Sequence, residues 1–301
     1  MPRNTTQPPD SLISKGPLRR PRVIPSGPMR PRDLLVSKPE PLVDIHCHLL
    51  PELDDGAASW SEALAMAQLA AADGITTIVA TPHQLGTYAR NTGGAIRAAA
   101  ARMQQLLDER GIALGVLPGA DVRIEPDLID KVQAGEVLTL ADQHRHVLLE
   151  LPHEVYLPLD RLLEDLCAAG LVGILSHPER NRGILGRPEV VRPLVEGGLL
   201  LQVTAESLCG MFGPRAQGLA EWLVKQGLVH FIASDAHGTE ARTPVLRPAF
   251  ERAAQLAGRE TAVELCCRNP ARVAAGENVA PGCRTQRRSF WSGRFCGRKA
   301  G

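Results

Sequence analysis

From Leu42 onward the chain alternates short, nearly unbroken apolar runs with longer stretches of helical periodicity. The apolar runs fall at 42–45, 75–80, 113–117, 146–151, 172–175, 199–203 and 229–233. Each is too short for a helix and apolar at almost every position, the pattern of a strand buried on both faces. The stretches between them predict helices over 59–72, 93–110, 157–169, 188–196 and 214–226, with closing helices over 245–256 and 260–267. Ser59 and Glu62 have capping-box spacing. Gly74, Gly111, Gly170, Gly197 and Gly227 fall where helices should stop. Strand–helix alternation at about thirty residues per unit reads as repeated βαβ units on a parallel sheet. Seven units fit either a barrel or an open doubly wound sheet. The open sheet would carry a glycine-rich phosphate loop after its first strand. Here that position reads HCHLLPELDDG.

Composition changes the picture mainly at the ends. Residues 1–42 hold ten prolines and no apolar period, which predicts a disordered basic leader. That leader carries eight Lys/Arg against three Asp/Glu, and 283–301 carries six against none. With a net charge of +1 for the whole chain, the body over 43–282 is left at −10. The expected organisation is therefore leader 1–42, one folded domain 43–282, and a disordered basic tail 283–301. An acidic body argues against a nucleic-acid partner. Seven scattered cysteines without a CxxC pair suit a reducing cytosol. No apolar stretch is long enough for membrane insertion, and a cytoplasmic location is expected.

The candidate chemistry lies just after the apolar runs. His46 and His48 close the first run. On an extended chain, residues two apart face one way, so both imidazoles aim at one point and Cys47 aims away. Asp55 follows in the same segment. The second run is followed by His83 and the third by Asp121. The fourth contains Glu150, the fifth leads to His177 and Arg180, and the seventh to Asp235 and His237. Only the sixth lacks a strong ligand type, offering Gln202 and Thr204. In a (β/α) barrel, function collects at the C-terminal ends of the strands. Burying so many polar groups there is costly unless they hold metal. Five histidines and four carboxylates are too many for one ion and suit two or three. The lack of thiolate favours Mn, Zn or Fe. His144, His146, His153 and His230 read as structural or surface residues.

These segments resemble the polymerase-and-histidinol-phosphatase (PHP) superfamily. In particular, DIHCHLLPELDDG, ATPH, PGAD, LLEL, SHPER and ASDAH are similar to the manganese-dependent protein-tyrosine phosphatases of bacterial capsule and exopolysaccharide operons. The resemblance runs from about Val43 to Pro281. It implies a distorted seven-stranded (β/α) barrel of PHP type, TIM-like, with a trinuclear metal site. By position it implies a first ion on His46, His48, Asp121 and Asp235. A second would sit on Asp121, Glu150 and His177, and a third on Asp55, His83 and His237. It implies Arg180, Arg242 and His48 as the catalytic set, with the arginines on the phosphate and Mn2+ as cofactor. The implied substrate is a phosphotyrosine protein, expected to be a bacterial tyrosine kinase of polysaccharide export. One position departs from the family pattern, Asp121 standing where the family has Glu.

Three other readings compete. A small-molecule phosphatase of histidinol-phosphatase type would use the same metal centre. An inactive regulator would keep the fold without the metals. A thiol phosphatase would need Cys, five residues, Arg, which Cys209–Arg215 and Cys266–Arg272 both satisfy. Neither cysteine directly follows an apolar run, as a phosphate cradle at a helix N-terminus requires.

Overall fold

The computed structural model describes residues 40–279. The basic tail and nearly all of the leader lie outside that range. Ordered contacts begin slightly before the expected boundary. Glu40 accepts hydrogen bonds from Arg268 at 2.6, 2.9 and 3.1 Å, and Leu42 already opens the first strand.

The first half of the chain runs β1 (Leu42–Cys47), α1 (Trp60–Asp73), β2 (Ile75–Ala80), β3 (His83–Gln84), α2 (Gly93–Glu109), β4 (Gly115–Pro118), β5 (Asp121–Arg123) and α3 (Leu128–Gln133). The second half runs β6 (His146–Glu150), α4 (Asp160–Ala168), β7 (Val172–Ser176), α5 (Arg182–Gly186), α6 (Val191–Glu196), β8 (Leu200–Thr204), α7 (Ala205–Leu208), α8 (Gly213–Lys225) and β9 (Phe231–Ala233). It closes with α9 (Arg247–Ala257), α10 (Arg259–Val263) and α11 (Asn269–Ala274), the last two joined by a π-helical turn. All seven expected strands form, and every paired strand is parallel.

The strands do not make the single seven-stranded sheet expected from the sequence. Among the described residues they form two sheets, β1-β2-β4 and β3-β5-β6-β7-β8-β9. The division has a local cause. The second and third strands are each broken in two, at Thr81-Pro82 and at Gly119-Ala120. Pro82 has no N–H to donate to a ladder. At Gly119 the backbone passes so close to β2 that a Cβ would stand 2.7 Å from Val79 Cγ1. Main-chain hydrogen bonds still cross the breaks, from Thr81 N to Cys47 O at 2.9 Å and from Asp121 N to Pro82 O at 3.3 Å. At the far edge Cys47 bridges Ala236 in parallel. There Asp235 N donates to His46 O at 2.7 Å and His48 N to Ala236 O at 2.8 Å.

Apolar side chains pack in two layers. The smaller core is built from Val43, Ile45, Val79, Leu148, Ile174, Leu200, Phe231 and Ala233, with Leu117 packed against it, so every strand position contributes one face. Leu140, Val273 and Val279 join the same core. The larger core lies between the strands and the helices. Helix α1 starts as its sequence predicts. Ser59 Oγ accepts from Glu62 N at 3.2 Å, while Glu62 reaches back to Ala58 N at 2.9 Å, one residue before the box position. It ends at Gly74, with φ 95°.

Candidate metal centre

The ends of the strands bring all nine candidate ligands into one cluster. His46 belongs to β1 and His48 follows it, and their Nε2 atoms lie 3.2 Å apart. Cys47 faces the other way, into the larger core. From His46 Nε2 it is 3.3 Å to Asp235 Oδ1 and 3.6 Å to Asp121 Oδ2. His83 Nδ1 stands 3.4 Å from Asp121 Oδ2 and 3.7 Å from Glu150 Oε2. Its Nε2 is 3.6 Å from Asp55 Oδ1, and His237 Nε2 is 3.5 Å from the same oxygen. His177 Nε2 lies 4.0 Å from Glu150 Oε1. Most of these separations are too long for good hydrogen bonds. They match the ~3–3.6 Å between two donor atoms that each sit about 2.1 Å from a shared ion.

Four ligand groups emerge, each with donor atoms within 4.8 Å of one another. They are His48-Asp55-His83-His237, His46-His48-Asp121, His46-His177-Asp235 and His83-Asp121-Glu150. The first contains the third set implied by the resemblance and adds His48. The other implied sets are redistributed. Asp235 groups with His177, and Asp121 with Glu150 and His83. Asp121 shows most directly that the donors fit a cation: it is fully buried, and neither carboxylate oxygen has a hydrogen-bond partner. A bare buried carboxylate is costly without a positive charge against it.

Neighbouring residues fix which ring nitrogen faces the cluster. Gln202 Oε1 accepts from His46 Nδ1 at 2.8 Å, and Asp54 Oδ2 from His48 Nδ1 at 2.6 Å. The Asp235 carbonyl accepts from His237 Nδ1 at 2.9 Å. Each bond holds the proton on Nδ1 and leaves the Nε2 lone pair for a cation. Asp54 also accepts from His83 N at 2.9 Å and Gly56 N at 3.0 Å. Asp44 binds Ser234 N at 3.0 Å and Ser234 Oγ at 2.5 Å, tying β1 to the segment after β9. The backbone is strained here too. His177, Asp235 and Arg242 hold φ of 32°, 53° and 51°, each at a cost of about 1–3 kcal/mol.

The fields inside the cluster are large. Burial lowers the basicity of His46 and His177. Burial also acts on His48, but Asp54 and Asp235 outweigh it and raise its pKa to about 10. Burial and the charge of Asp121 push Glu150 up to about 7. Asp121 and Asp235 are held well below the usual carboxylate range: the imidazoles, joined at Asp235 by Arg242, overcome desolvation. Arg180 and Arg242 both reach Asp235 Oδ2, Arg180 through Nη1 and Arg242 through Nη2 at 2.8 Å. The Arg180 guanidinium also lies 4.4 Å above the Phe212 ring.

Sequence reasoning missed the part that four residues play at this site. Asp54 and Gln202 orient histidines. His153, read as structural or surface, stacks on His177 at 5.5 Å. Tyr88 stacks on His83 at 5.3 Å. The thiol alternative finds no support. Cys209 sits beyond α7 rather than at a strand end, and burial and Glu206 raise its pKa. Cys266 is buried in the π-helical turn, and desolvation raises its pKa well above that of a free thiol. Neither environment favours the thiolate a nucleophile must be.

Residues 42–275 match the family described as capsular polysaccharide synthesis, CpsB/CapC. The tyrosine-protein phosphatase YwqE of Bacillus subtilis is 38% identical over 203 residues, spanning 67% of this chain and 79% of YwqE. The tyrosine-protein phosphatase CpsB of Streptococcus pneumoniae is 26% identical over 238 residues, spanning 77% and 98%. A crystal structure from work on these two proteins, described as unique metal-dependent tyrosine phosphatases, superposes with a TM-score of 0.76 at 33% identity. It covers 82% of this chain and all of its own. With an α/β fold of parallel sheets, a clustered His/Asp/Glu centre and a match over most of its length, the chain belongs to the CpsB/CapC family of capsular polysaccharide synthesis proteins.

Proposed function

We propose that this chain is a metal-dependent phosphomonoesterase that dephosphorylates phosphotyrosine in proteins and acts in capsular or exopolysaccharide synthesis. The observation that carries the reading is the convergence of nine N/O donors in one cluster, among them Asp121, whose buried oxygens lack partners, beside two arginines. The tyrosine phosphatases among its relatives support the substrate class. The ions we assign are two or three Mn2+, with Fe or Zn acceptable to the same donors. His46, His48, Asp55, His83, Asp121, Glu150, His177, Asp235 and His237 would hold them. Bound there, such ions would lower the pKa of water and neutralise phosphoryl oxygens.

The chain's own residues do the rest. Arg180 and Arg242 present planar forks that suit two phosphoryl oxygens at once. Phe212 holds the Arg180 guanidinium flat from below. Asp54, Gln202 and the Asp235 carbonyl keep Nδ1 protonated on three histidines, so no ring must turn during turnover. A phenolate with a pKa near 10 leaves with little help from an acid. His48, its Nδ1 proton held by Asp54, is assigned to the centre through Nε2 and completes the catalytic set beside the two arginines.

We read the two sheets as one distorted seven-stranded (β/α) barrel and 43–282 as the catalytic unit. The Cys47–Ala236 bridge and the inner core fed by every strand position support this. The partner we favour is a bacterial tyrosine kinase of polysaccharide export, met in the cytoplasm. No described helix is long and apolar enough to cross a membrane.

The test is a panel of phosphotyrosine peptide, phosphoserine peptide, histidinol phosphate and a nucleotide, run on Mn2+-loaded protein. Phosphotyrosine should be preferred, EDTA should inactivate, and iodoacetamide should do little. Arg180→Ala should lower kcat/KM at least ~100-fold, about 2.7 kcal/mol, with metal content unchanged. Alkylation that kills activity while chelation spares it would sink the metal reading. Preference for histidinol phosphate would replace the substrate, and metal binding without any turnover would leave a regulator.

A further inference from the structure

A groove of about 550 Å³ opens beside the metal centre, lined by His153, Glu154, Arg180, Arg182, Phe212 and Arg215. It is continuous with the cluster. Arg180 bonds to Asp235 at one end and covers Phe212 at the other, while His153 stacks on the ligand His177. Three arginines against one glutamate make it basic on a body whose sequence is acidic. Arg182 Nη1 is occupied by Glu154 Oε2 at 2.6 Å. Arg215, exposed in the first turn of α8, forms no ion pair with any described residue. Five large hydrophobic side chains are exposed among the described residues. Val155 and Leu157 stand on the loop that carries His153 and Glu154, and Met211 directly precedes Phe212. Exposed apolar groups on the same chain segments as the lining of a charged trough suit a surface that takes a polypeptide.

Resting on the phosphotyrosine reading above, we propose that this groove binds the polypeptide flanking the phosphotyrosine and selects acidic side chains there. The phosphoryl group sits under Arg180 and Arg242. The chain leaving it crosses Phe212, its apolar atoms resting on Val155, Leu157 and Met211. A carboxylate next to the phosphotyrosine meets Arg215, which forms no ion pair with any described residue. Glu154 opposes that preference by neutralising Arg182. A basic strip in an acidic field attracts anionic segments and steers them to the metals.

The experiment compares two phosphotyrosine peptides, flanked on both sides by glutamates or by lysines. Each kcat/KM is divided by the same protein's value on p-nitrophenyl phosphate. The acidic peptide should be favoured about tenfold at low salt, and the preference should shrink at high salt. Arg215→Glu should bring the ratio near one, and Glu154→Gln should raise it above wild type. Equal ratios in all three proteins, with both peptides turned over, would overturn the groove and leave the phosphatase reading intact. Hydrolysis of p-nitrophenyl phosphate with neither peptide turned over would overturn the phosphotyrosine reading, and the groove with it.

Discussion

Asp121 reaches two imidazoles with one oxygen, at 3.4 Å from His83 and 3.6 Å from His46. Asp121 stands where the resemblance implies Glu, and at these distances the shorter side chain already reaches both rings. The residue opens β5 directly after the break at Gly119-Ala120. Glutamate would add one carbon–carbon bond, about 1.5 Å, to a carboxylate already near both rings. Asp121→Glu should be crowded and about tenfold slower, with weaker metal binding, and Asp121→Ala should be inactive. Metal titration and steady-state rates on the three proteins measure this, and a fully active alanine variant would remove Asp121 from the centre. The nine donors of the cluster were legible in the sequence because each is a strong ligand type lying in or after an apolar run. Asp54 was not. In Asp54-Asp55 two identical side chains stand together, and only the fold turns one inward to His48 and leaves the other half exposed at the mouth. Gln202 was noticed as the weak offering of its strand, but its task is to hold His46, which composition does not signal.

At the scale of elements, the long pieces were readable and the short ones were not. The second strand spans 75–80 as expected, and α1 and α2 lie within a residue of their predicted limits. β3, β5, α3, α5, α7 and α11 run from two to six residues, less than the window over which an apolar period can be recognised. The helix expected over 260–267 is two pieces, α10 and a π-helical turn, and α11 continues beyond it. Gly197, predicted to stop a helix, keeps φ −75°, and Gly198 at 103° makes the turn instead. The β4–β5 joint is one place where a single change should be felt. Gly119→Ala would place a methyl 2.7 Å from Val79 Cγ1 and 3.3 Å from Leu140 Cδ2. Overpacking of this kind costs roughly 1–3 kcal/mol. The variant should melt earlier and bind Mn2+ less tightly, as thermal scans with and without the ion would register. An unchanged melting temperature would mean that the joint yields freely.

Across the whole molecule, two histidines away from the metals tie stability to pH. His146 and His230 are buried, and desolvation lowers both from 6.5 to about 4. His230 Nδ1 accepts from Leu201 N at 3.2 Å, a bond available only to the neutral ring. The unfolded chain therefore binds more protons between pH 4 and 6.5. The stabilisation is complete above about 6.5 and is lost as pH falls toward 4. Each histidine should withdraw about 2 kcal/mol between pH 7 and pH 5. His230→Gln keeps an acceptor for Leu201, so its urea-unfolding free energy should fall by about 2 kcal/mol less than wild type over that interval. Parallel curves for the two proteins would show that His230 does not titrate in this range.

The main-chain bridge between Cys47 and Ala236 also governs when the centre can exist. His46 and His48 are made early, but Asp235 and His237 arrive only with the last strand, and Ser234 must span 190 positions to reach Asp44. Contacts this distant are slow to close and come late in folding. A ribosome that has released only the first half of the domain therefore exposes His46, His48, His83, Asp121 and Glu150 while the two donor groups that need Asp235 and His237 are still incomplete. The full set of four donor groups is complete only when the final strand docks, so assembly of the whole centre becomes the closing act of the chain's own synthesis.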